Sequence, residues 1–460
     1  MSDFDLVVIG AGPGGYVAAL RAAAAGMRVA CIDERATPGG TCLNVGCIPS
    51  KALLSSSEHW AELKSLADHG IETATASFDL ARMMARKERV ISDLNKGIAF
   101  LFKKAGVEFI HGRANITGPG RVTVGEREIA THHILIATGS EPAALPGVAF
   151  DEKRVLSSTG ALSLESVPDR LVIVGAGVIG LEIGQIWSRL GSQVTVVEYV
   201  DRILPGIDGE IAKAAQRIFS RHGIGFKLNA AVKTVAAAGA TARVEIENRS
   251  SGAVEILEAD AVLVAIGRRP RTGGLGLESL GVKLDTKGFI AVDAQFRTSI
   301  PGILAIGDAV PGPMLAHRAE EDAAACIAAL AGDPHDAPDY GLVPGVVYTA
   351  PEIAAVGLTE DAAAGRSILV GKSSFLANGR ARAIGATDGF VKVIGCAETG
   401  RLLGAHILGH GAGELLQELV LALRLGVTLH DLAMTSHAHP GMGEAVKDAC
   451  HAAVATQRQT

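Results

Sequence analysis

In "GGTCLNVGCIPSK" (39–51), four residues separate Cys42 from Cys47, and a proline and a lysine follow closely. Two thiols so spaced can form a structural disulfide, supply half a metal site, or open and close as a redox couple. A zinc site normally needs four ligands, with a second Cys or His pair at short spacing, and none follows this pair. A bridge carries a geometric condition. In a regular helix residues i and i+5 lie about 8.6 Å apart, beyond the roughly 4.4–6.8 Å Cα separation of disulfides. The turn must depart from a helix, and Gly46 with the restriction that Pro49 places on Ile48 supplies the means. A strained, accessible bridge exchanges readily with thiols.

Thiol exchange needs a base, because only thiolate attacks a disulfide. Of the 14 histidines, His439 precedes Pro440, and proline is favoured at the first helical position. That puts the ring just outside a helix start, where Glu444 can orient it. Gly441 and Gly443 would fall in the first turn, each at a cost of roughly 1 kcal/mol relative to alanine. The other four cysteines (Cys31, Cys326, Cys396, Cys450) read as buried small hydrophobes.

The elements that must hold these groups show an internal echo. "DLVVIGAGPGGYVAALRAAAAGMRVACID" (5–33) and "RLVIVGAGVIGLEIGQIWSRLGSQVTVVE" (170–198) each run from a β-branched strand through G-x-G-x-x-G into a helix closed by Gly26 or Gly191. The glycines are Gly10, Gly12 and Gly15, then Gly175, Gly177 and Gly180. A second strand ends in Asp33 or Glu198, in both copies 23 residues after the first glycine (10 to 33, 175 to 198). Strand, glycine turn, helix and distant acid together specify a dinucleotide site: the backbone approaches a pyrophosphate and the carboxylate takes ribose hydroxyls. The first site, beside the cysteines, suits the adenosine half of a flavin. Glu198 favours a free 2′-hydroxyl, hence NAD over NADP, and Arg202 alone does not reverse that preference.

"ILIATGS" (134–140), "VLVAIGRRP" (262–270) and "ILAIGDA" (303–309) read as further parallel strands breaking at glycine, with Asp308 able to reach a sugar or ribityl hydroxyl. The layout is a first nucleotide domain at 1–145, a second at 146–270, a strand-rich stretch at 271–338 completing the first site, and a C-terminal domain at 339–460. The last two are joined by the Pro/Asp-rich "DPHDAPDYGLVP" (333–344), and "ELLQELVLALRLG" (414–426) reads as an amphipathic helix. The composition, 48% hydrophobic and 20% charged with 56 glycines, is that of a well-buried globular protein. A formal net charge of −6 argues against general nucleic-acid binding. No apolar run reaches the roughly 18–20 residues of a membrane span. The start, "MSDFDLVVIGAG", carries no targeting pattern, so the expectation is a cytoplasmic chain or a trimmed organellar form.

"GGTCLNVGCIPSK" strongly resembles the redox centre of the flavin-linked disulfide oxidoreductases, and its spacer and tail are most similar to the dihydrolipoamide dehydrogenase branch. The resemblance spans the chain through both fingerprints, "ATGS", "AIGRRP", "AIGDA", "MLAHRAEEDA" (314–323), "VVYTAPEIAAVGLTE" (346–360) and "SHAHPGMGEA" (436–445). It implies an α/β fold of two Rossmann-like nucleotide-binding domains plus an α+β C-terminal dimerisation domain, with FAD and NAD as cofactors and no metal. It implies that Cys42 exchanges with the thiol substrate and that Cys47 lies against the isoalloxazine. Lys51 would approach flavin N5 and pair with Glu182. Asp33, Thr41, Thr138, Gly139 and Asp308 would hold FAD with the first three glycines. Ala114 would touch adenine, and Met314, Leu315, Ala316 and His317 the flavin edge. Val232 and Gly267 would line the NAD site with Glu198. His439, oriented by Glu444, would act as base from the partner subunit of a homodimer, and His437 would be structural. The family usually carries threonine and serine at Gly441 and Gly443, which puts rate and thiol fit in question.

The implied reaction is oxidation of protein-bound dihydrolipoamide to lipoamide with reduction of NAD+. The partners would be lipoyl-bearing proteins of 2-oxo acid dehydrogenase complexes or of glycine cleavage, with no nucleic acid and no membrane. Alternatives are another flavin disulfide reductase with a different thiol substrate, or a flavoprotein scaffold subunit. A glutathione reductase would replace Glu198 with groups for a 2′-phosphate, and mercuric reductases need a C-terminal cysteine pair that is missing after Cys450.

Overall fold

The apolar run before the first glycine turn is strand β1 (Phe4–Ile9), and it buries both faces. Leu6 and Val8 pack with Ala18, Ala19 and Ala22 of α1 (Pro13–Ala24), whereas Val7 and Ile9 enter the core on the opposite side. A strand covered on both faces has no polar alternation to keep, hence the unbroken run. Each such side chain contributes about 1.5–3 kcal/mol through burial. This computed structural model describes residues 2–63, 65–72, 76–239, 241–333 and 338–457, so positions 334–337 of the Pro/Asp-rich linker lie outside the described residues.

The chain divides into two compact units, the first comprising 1–53, 79–143 and 267–340. After α1 come β2 (Val29–Asp33), α2 (Gly40–Val45), α3 (Cys47–Glu62), α4 (Leu80–Ala105), β3 (Glu108–His111), β4 (Ala114–Gly118), β5 (Arg121–Val124) and β6 (Arg127–Ile136). The parallel part of the sheet runs β3–β2–β1–β6 and ends on Ile303–Ala305. β4 and β5 extend it antiparallel from the other end of β6. This is a doubly wound order, which binds ligands beyond its strand ends. The expected parallel strands at 134–140 and 303–309 are therefore present.

Residues 271–333 and 338 differ from expectation. Instead of several strands their described residues hold one, Ile303–Ala305, with turns, the short helices Leu277–Leu280 and Gly307–Ala309, and the helix Ala316–Leu330. The reason is local. Asp285 Oδ1 accepts from Lys287 N and Phe289 N, and Asp293 Oδ1 from Gln295 N and Arg297 N. Such carboxylates divert amides that a ladder would otherwise use.

The second unit comprises 54–78, 144–266 and 341–460. Its parallel sheet runs Gly225–Lys227, Gln193–Val197, Arg170–Val174, Ala261–Val264, Val155–Leu156. A three-stranded antiparallel sheet (230–238, 241–248, 254–259) shares its core. The helices Val178–Leu190 and Gly209–Arg221 belong to this part, and 341–460 hold a five-stranded antiparallel sheet followed by the helices Ala412–Leu425, Leu429–Met434 and Glu444–Gln457. Ala412–Leu425 is the expected amphipathic helix, with Leu416, Leu419 and Ala422 buried and Gly426 closing it at φ 67°. No helix among the described residues is long and apolar enough to cross a membrane.

Candidate active site

The cysteine pair straddles a break between two helices. α2 stops at Val45, α3 starts at Cys47, and Gly46 between them has φ −133° and ψ −106°. A Cβ there would meet Thr41 O at 2.9 Å and Cys42 Cα at 3.4 Å. Glycine is thus required because the chain folds back on the turn that carries Cys42. Pro49 does not break the helix: Ile48 is helical, and Pro49 sits in the first turn of α3, where a missing N–H is harmless.

The two sulfurs meet in the two-thiol form, and the Cys42 thiol is pushed far above its usual range. The hydrogen bond with Cys47 is the main cause, then burial, while Lys51 pulls the other way. Asn44 of the spacer holds the turn by donating to Pro38 O (3.2 Å) and Gly40 O (2.9 Å), and it accepts from Asn95 of α4 at 3.0 Å. The pair is seated on the first fingerprint. Gly39 N donates to Ala11 O at 2.7 Å, and a Cβ on Gly40 would lie 2.5 Å from Gly12 Cα.

The two fingerprints repeat one construction. Gly10 and Gly175 take φ 102° and 107°, in the region that favours glycine. A Cβ on Gly15 would strike Gly10 O, and one on Gly180 would strike Gly175 O. Gly12 and Gly177 are the helix N-caps. Asp33 Oδ2 accepts from Ala11 N, and Glu198 Oε2 from Ala176 N, each at 2.7 Å. Their second oxygens accept from Arg35 N (2.8 Å) and Val200 N (3.0 Å). Each acid is therefore fixed at the strand end beside its turn, where ribose hydroxyls are bound in such folds.

Asp308 follows Ile303–Ala305 and accepts from Ser140 Oγ at 2.5 Å. Arg268 donates to Ser140 Oγ and O, both at 2.7 Å. Burial lowers the Arg268 guanidinium from its ordinary value, while Asp308 and Cys47 hold it up. The turn bearing Asp308 is itself anchored: Arg318, fully buried and 3.0 Å from Asp322, donates to Gly307 O at 2.9 Å, and Asp322 accepts from Gly307 N at 3.0 Å. Tyr340 OH joins Arg318 (2.7 Å) to Asp322 (2.9 Å). Ser140, Arg268, Arg318, Asp322 and Tyr340 were not singled out in the sequence. The quoted stretches "ATGS", "AIGRRP", "MLAHRAEEDA" and "DPHDAPDYGLVP" contain them without marking which side chains matter.

In the same unit Thr138 Oγ1 donates to Arg271 O at 2.6 Å, Gly139 has φ 70°, and Gly267 φ 126°. Ala114 opens β4 and is buried. Met314 to His317 are half-buried at the start of Ala316–Leu330. These residues fit FAD: a preformed glycine turn, a fixed carboxylate, Asp33, at the end of β2, and a second, Asp308, beyond the parallel strand Ile303–Ala305.

In the second unit Glu182 is buried and accepts from Tyr348 N at 3.0 Å. Val232 is half-buried where the pairing of 230–238 slips register. With Glu198 and Gly175–Gly180 the unit fits a second dinucleotide. His439 Nδ1 and Glu444 Oε1 are 2.9 Å apart, as expected, but the local structure differs. Pro440 follows a cis peptide and is not helical; the helix begins at Glu444 itself. Gly441 and Gly443 therefore lie before the helix and carry no helical cost. Gly441 N donates to Glu444 Oε2 at 2.9 Å, and a Cβ on Gly441 would meet Ala438 O at 2.6 Å. Glu444 is lowered from its ordinary value first by Gly441 N–H, then by His439. His437 lies 3.3 Å from Glu418 and against Thr435 O.

Cys31, Cys326 and Cys450 are buried, with burial pushing Cys326 and Cys450 up to about 12. Cys396 is not: it sits half-exposed at the end of Phe390–Cys396, because the final residue of that strand has no cover.

A doubly wound dinucleotide fold with a helix-break dithiol on its first glycine turn, a second such turn and an antiparallel C-terminal sheet defines a two-nucleotide disulfide oxidoreductase. Residues 4–323 match the pyridine nucleotide-disulphide oxidoreductase family and 343–450 its dimerisation domain, so the chain belongs to that family. It is 48% identical over 458 residues to dihydrolipoyl dehydrogenase 3 of Pseudomonas putida, covering 98% of both chains. It is 48% identical to the mitochondrial dihydrolipoyl dehydrogenase of Pisum sativum, over 97% of this chain and 91% of that one. It is 49% identical to a leghemoglobin reductase of Vigna unguiculata, over 97% and 87%. The crystal structure of LpdA from Mycobacterium tuberculosis superposes with a TM-score of 0.89 at 29% identity, over 97% and 99%.

Proposed function

We propose that this chain is an NAD-dependent dihydrolipoamide dehydrogenase that works as a homodimer. The observation that carries the reading is the Cys42–Cys47 pair, held across a helix break against the first dinucleotide turn. His439 of the partner subunit takes the proton of a substrate thiol. The thiolate attacks Sγ of Cys42 in the oxidised pair, forming a mixed disulfide and releasing Cys47 as thiolate. The second substrate thiol, deprotonated in turn, attacks the substrate sulfur of that mixed disulfide. Lipoamide leaves with the Cys42 thiolate as leaving group. Of the two substrate protons, one returns through His439 to the protein pair and the other passes from His439 to solvent, so the pair has gained two electrons and one proton.

The Cys42 thiol is held above its ordinary value by its hydrogen bond with Cys47 and by burial, with Lys51 opposing them. FAD, when bound, supplies the two-electron relay from the dithiol to NAD+. Residues 1–145, with Asp308 and the start of Ala316–Leu330, hold it in this reading, and 146–270 hold NAD. Segment 271–338 completes the flavin site and 339–460 form the dimer contact. The partners are lipoyl-bearing proteins of 2-oxo acid dehydrogenase complexes or of glycine cleavage, in the cytoplasm or an organelle that houses them.

The test is a steady-state assay with dihydrolipoamide and NAD+, set against NADP+ and glutathione. Turnover with the first pair is expected to exceed the others by at least about 100-fold, the scale on which a site with unmatched polar groups discriminates. A Cys42→Ser variant that kept wild-type turnover would sink the scheme.

A further inference from the structure

The C-terminal antiparallel sheet hides a charge. Lys392, in Phe390–Cys396, is 1% exposed, and its cross-strand partners are Lys372 and His406. Its chain neighbours Val391 and Val393 lie in the apolar core, so this row of basic side chains is on the opposite face. Like charges directly opposite one another repel, and the carboxylates that answer them come from other elements. Lys392 Nζ lies 2.9 and 3.1 Å from the two oxygens of Asp208, 2.6 Å from Glu360 and 3.3 Å from Glu210. Lys372 lies 2.8 Å from Glu210. Asp208 is as buried as Lys392; it caps Gly209–Arg221 by accepting from Glu210 N (3.1 Å) and accepts also from Glu360 N (3.2 Å). Stability alone does not explain this cluster, because apolar residues of similar volume fill such a space as well as a buried ion pair does. What the cluster fixes lies just upstream of Asp208. Ile207 N donates to Leu204 O at 2.9 Å, and Leu204 donates its own N–H to Ala176 O at 3.0 Å. Leu204 is buried at φ 47°, a conformation that a leucine keeps only where its surroundings hold it. Ala176 is the middle residue of the second glycine turn, and its N–H is already taken by Glu198 at 2.7 Å.

We propose that Lys392 is a positioning residue for the nicotinamide dinucleotide: by holding Asp208 against the C-terminal sheet, it pins segment 204–208 on the second glycine turn. This rests on the function proposed above and deepens it, since the NAD+ half of the reaction then depends on a residue far from any nucleotide. Leu204 bonds the carbonyl of the Ala176–Gly177 peptide, and Gly177 is the N-cap of Val178–Leu190. A shift of Leu204 therefore tilts the peptide that opens this helix and turns its first amides away from a pyrophosphate. The link is one-sided. Cys42, Cys47 and the first glycine turn belong to the other compact unit, so the sulfur half of the reaction does not draw on it.

The experiment uses the FAD-loaded enzyme, with calorimetric titration by ADP-ribose beside steady-state kinetics. In a ping-pong reaction kcat/KM for dihydrolipoamide reports the sulfur half and kcat/KM for NAD+ the nicotinamide half. Lys392→Met leaves Asp208 buried and unmatched, which threatens folding. It is therefore paired with Lys392→Met/Asp208→Asn, where that buried charge is gone and asparagine still caps the helix; if the single variant does not fold, the double variant decides. Both are expected to lower kcat/KM for NAD+ about 10- to 100-fold, as small misplacements do. ADP-ribose binding should weaken about tenfold, with kcat/KM for dihydrolipoamide and flavin content within about twofold of wild type. Parallel loss of both kcat/KM values and of flavin would make the cluster a stability element and overturn the proposal. ADP-ribose affinity within twofold of wild type would overturn it too, as would a loss confined to dihydrolipoamide. If the wild type neither binds ADP-ribose nor reduces NAD+, the proposed function fails first.

Discussion

Glu444 shows how much one side chain carries. One carboxylate oxygen takes the His439 ring nitrogen and the other the Gly441 amide, so imidazole and backbone are held by one group. Both contacts lower its titration. A carboxyl depressed on folding adds stability that is full above its unfolded value and fades as pH falls through the folded one. The clasp is therefore intact at any pH where thiolate forms. Glu444→Gln is expected to cut kcat about 10- to 100-fold near neutral pH, within the range of general-base effects, with KM for dihydrolipoamide and flavin content little changed. Parallel losses of kcat and flavin would mean a folding role instead. The pairing of His439 with Glu444 was legible, because the two types stand five positions apart. The helix start was misplaced, because a preference of proline for one helical position says nothing about a cis bend.

At the scale of elements, the helix break at Gly46 is the decisive feature. Gly46→Ala places a methyl group against Thr41 O and Cys42 Cα. The expected outcome is a folded yellow protein whose long-wavelength thiolate–flavin band is lost or shifted and whose turnover drops about 100-fold, as misplacements near 1 Å do. An unchanged band in that variant would show that the turn tolerates the methyl. The fingerprints were readable since glycine spacing encodes the turn itself and the acid its distant end. The Arg268–Ser140–Asp308 chain was not: its members lie 128 and 168 residues apart, and only the paired strands bring them together. Likewise the irregular run around Asp285 and Asp293 looked strand-like, with Val282, Ile290 and Val292 β-branched, while its structure is set by two carboxylates.

At the scale of the whole molecule, the reaction proposed here draws its sulfur and its imidazole from different subunits. Cys42→Ser and His439→Gln homodimers are each expected to be inactive. Dissociated, mixed and reassociated at equal amounts, they should regain about a quarter of wild-type activity, since half the dimers are mixed and each has one intact centre. No recovery, with mixed dimers demonstrated by differential tags, would place both groups in one subunit.

The acids of the two fingerprints already clasp their own turns, Asp33 on Ala11 and Glu198 on Ala176. A sugar arriving at either carboxylate meets a rotamer that has nowhere else to go, so little ordering is left for the ligand to impose. Deuterium should enter these two amides slowly even before any nucleotide is added.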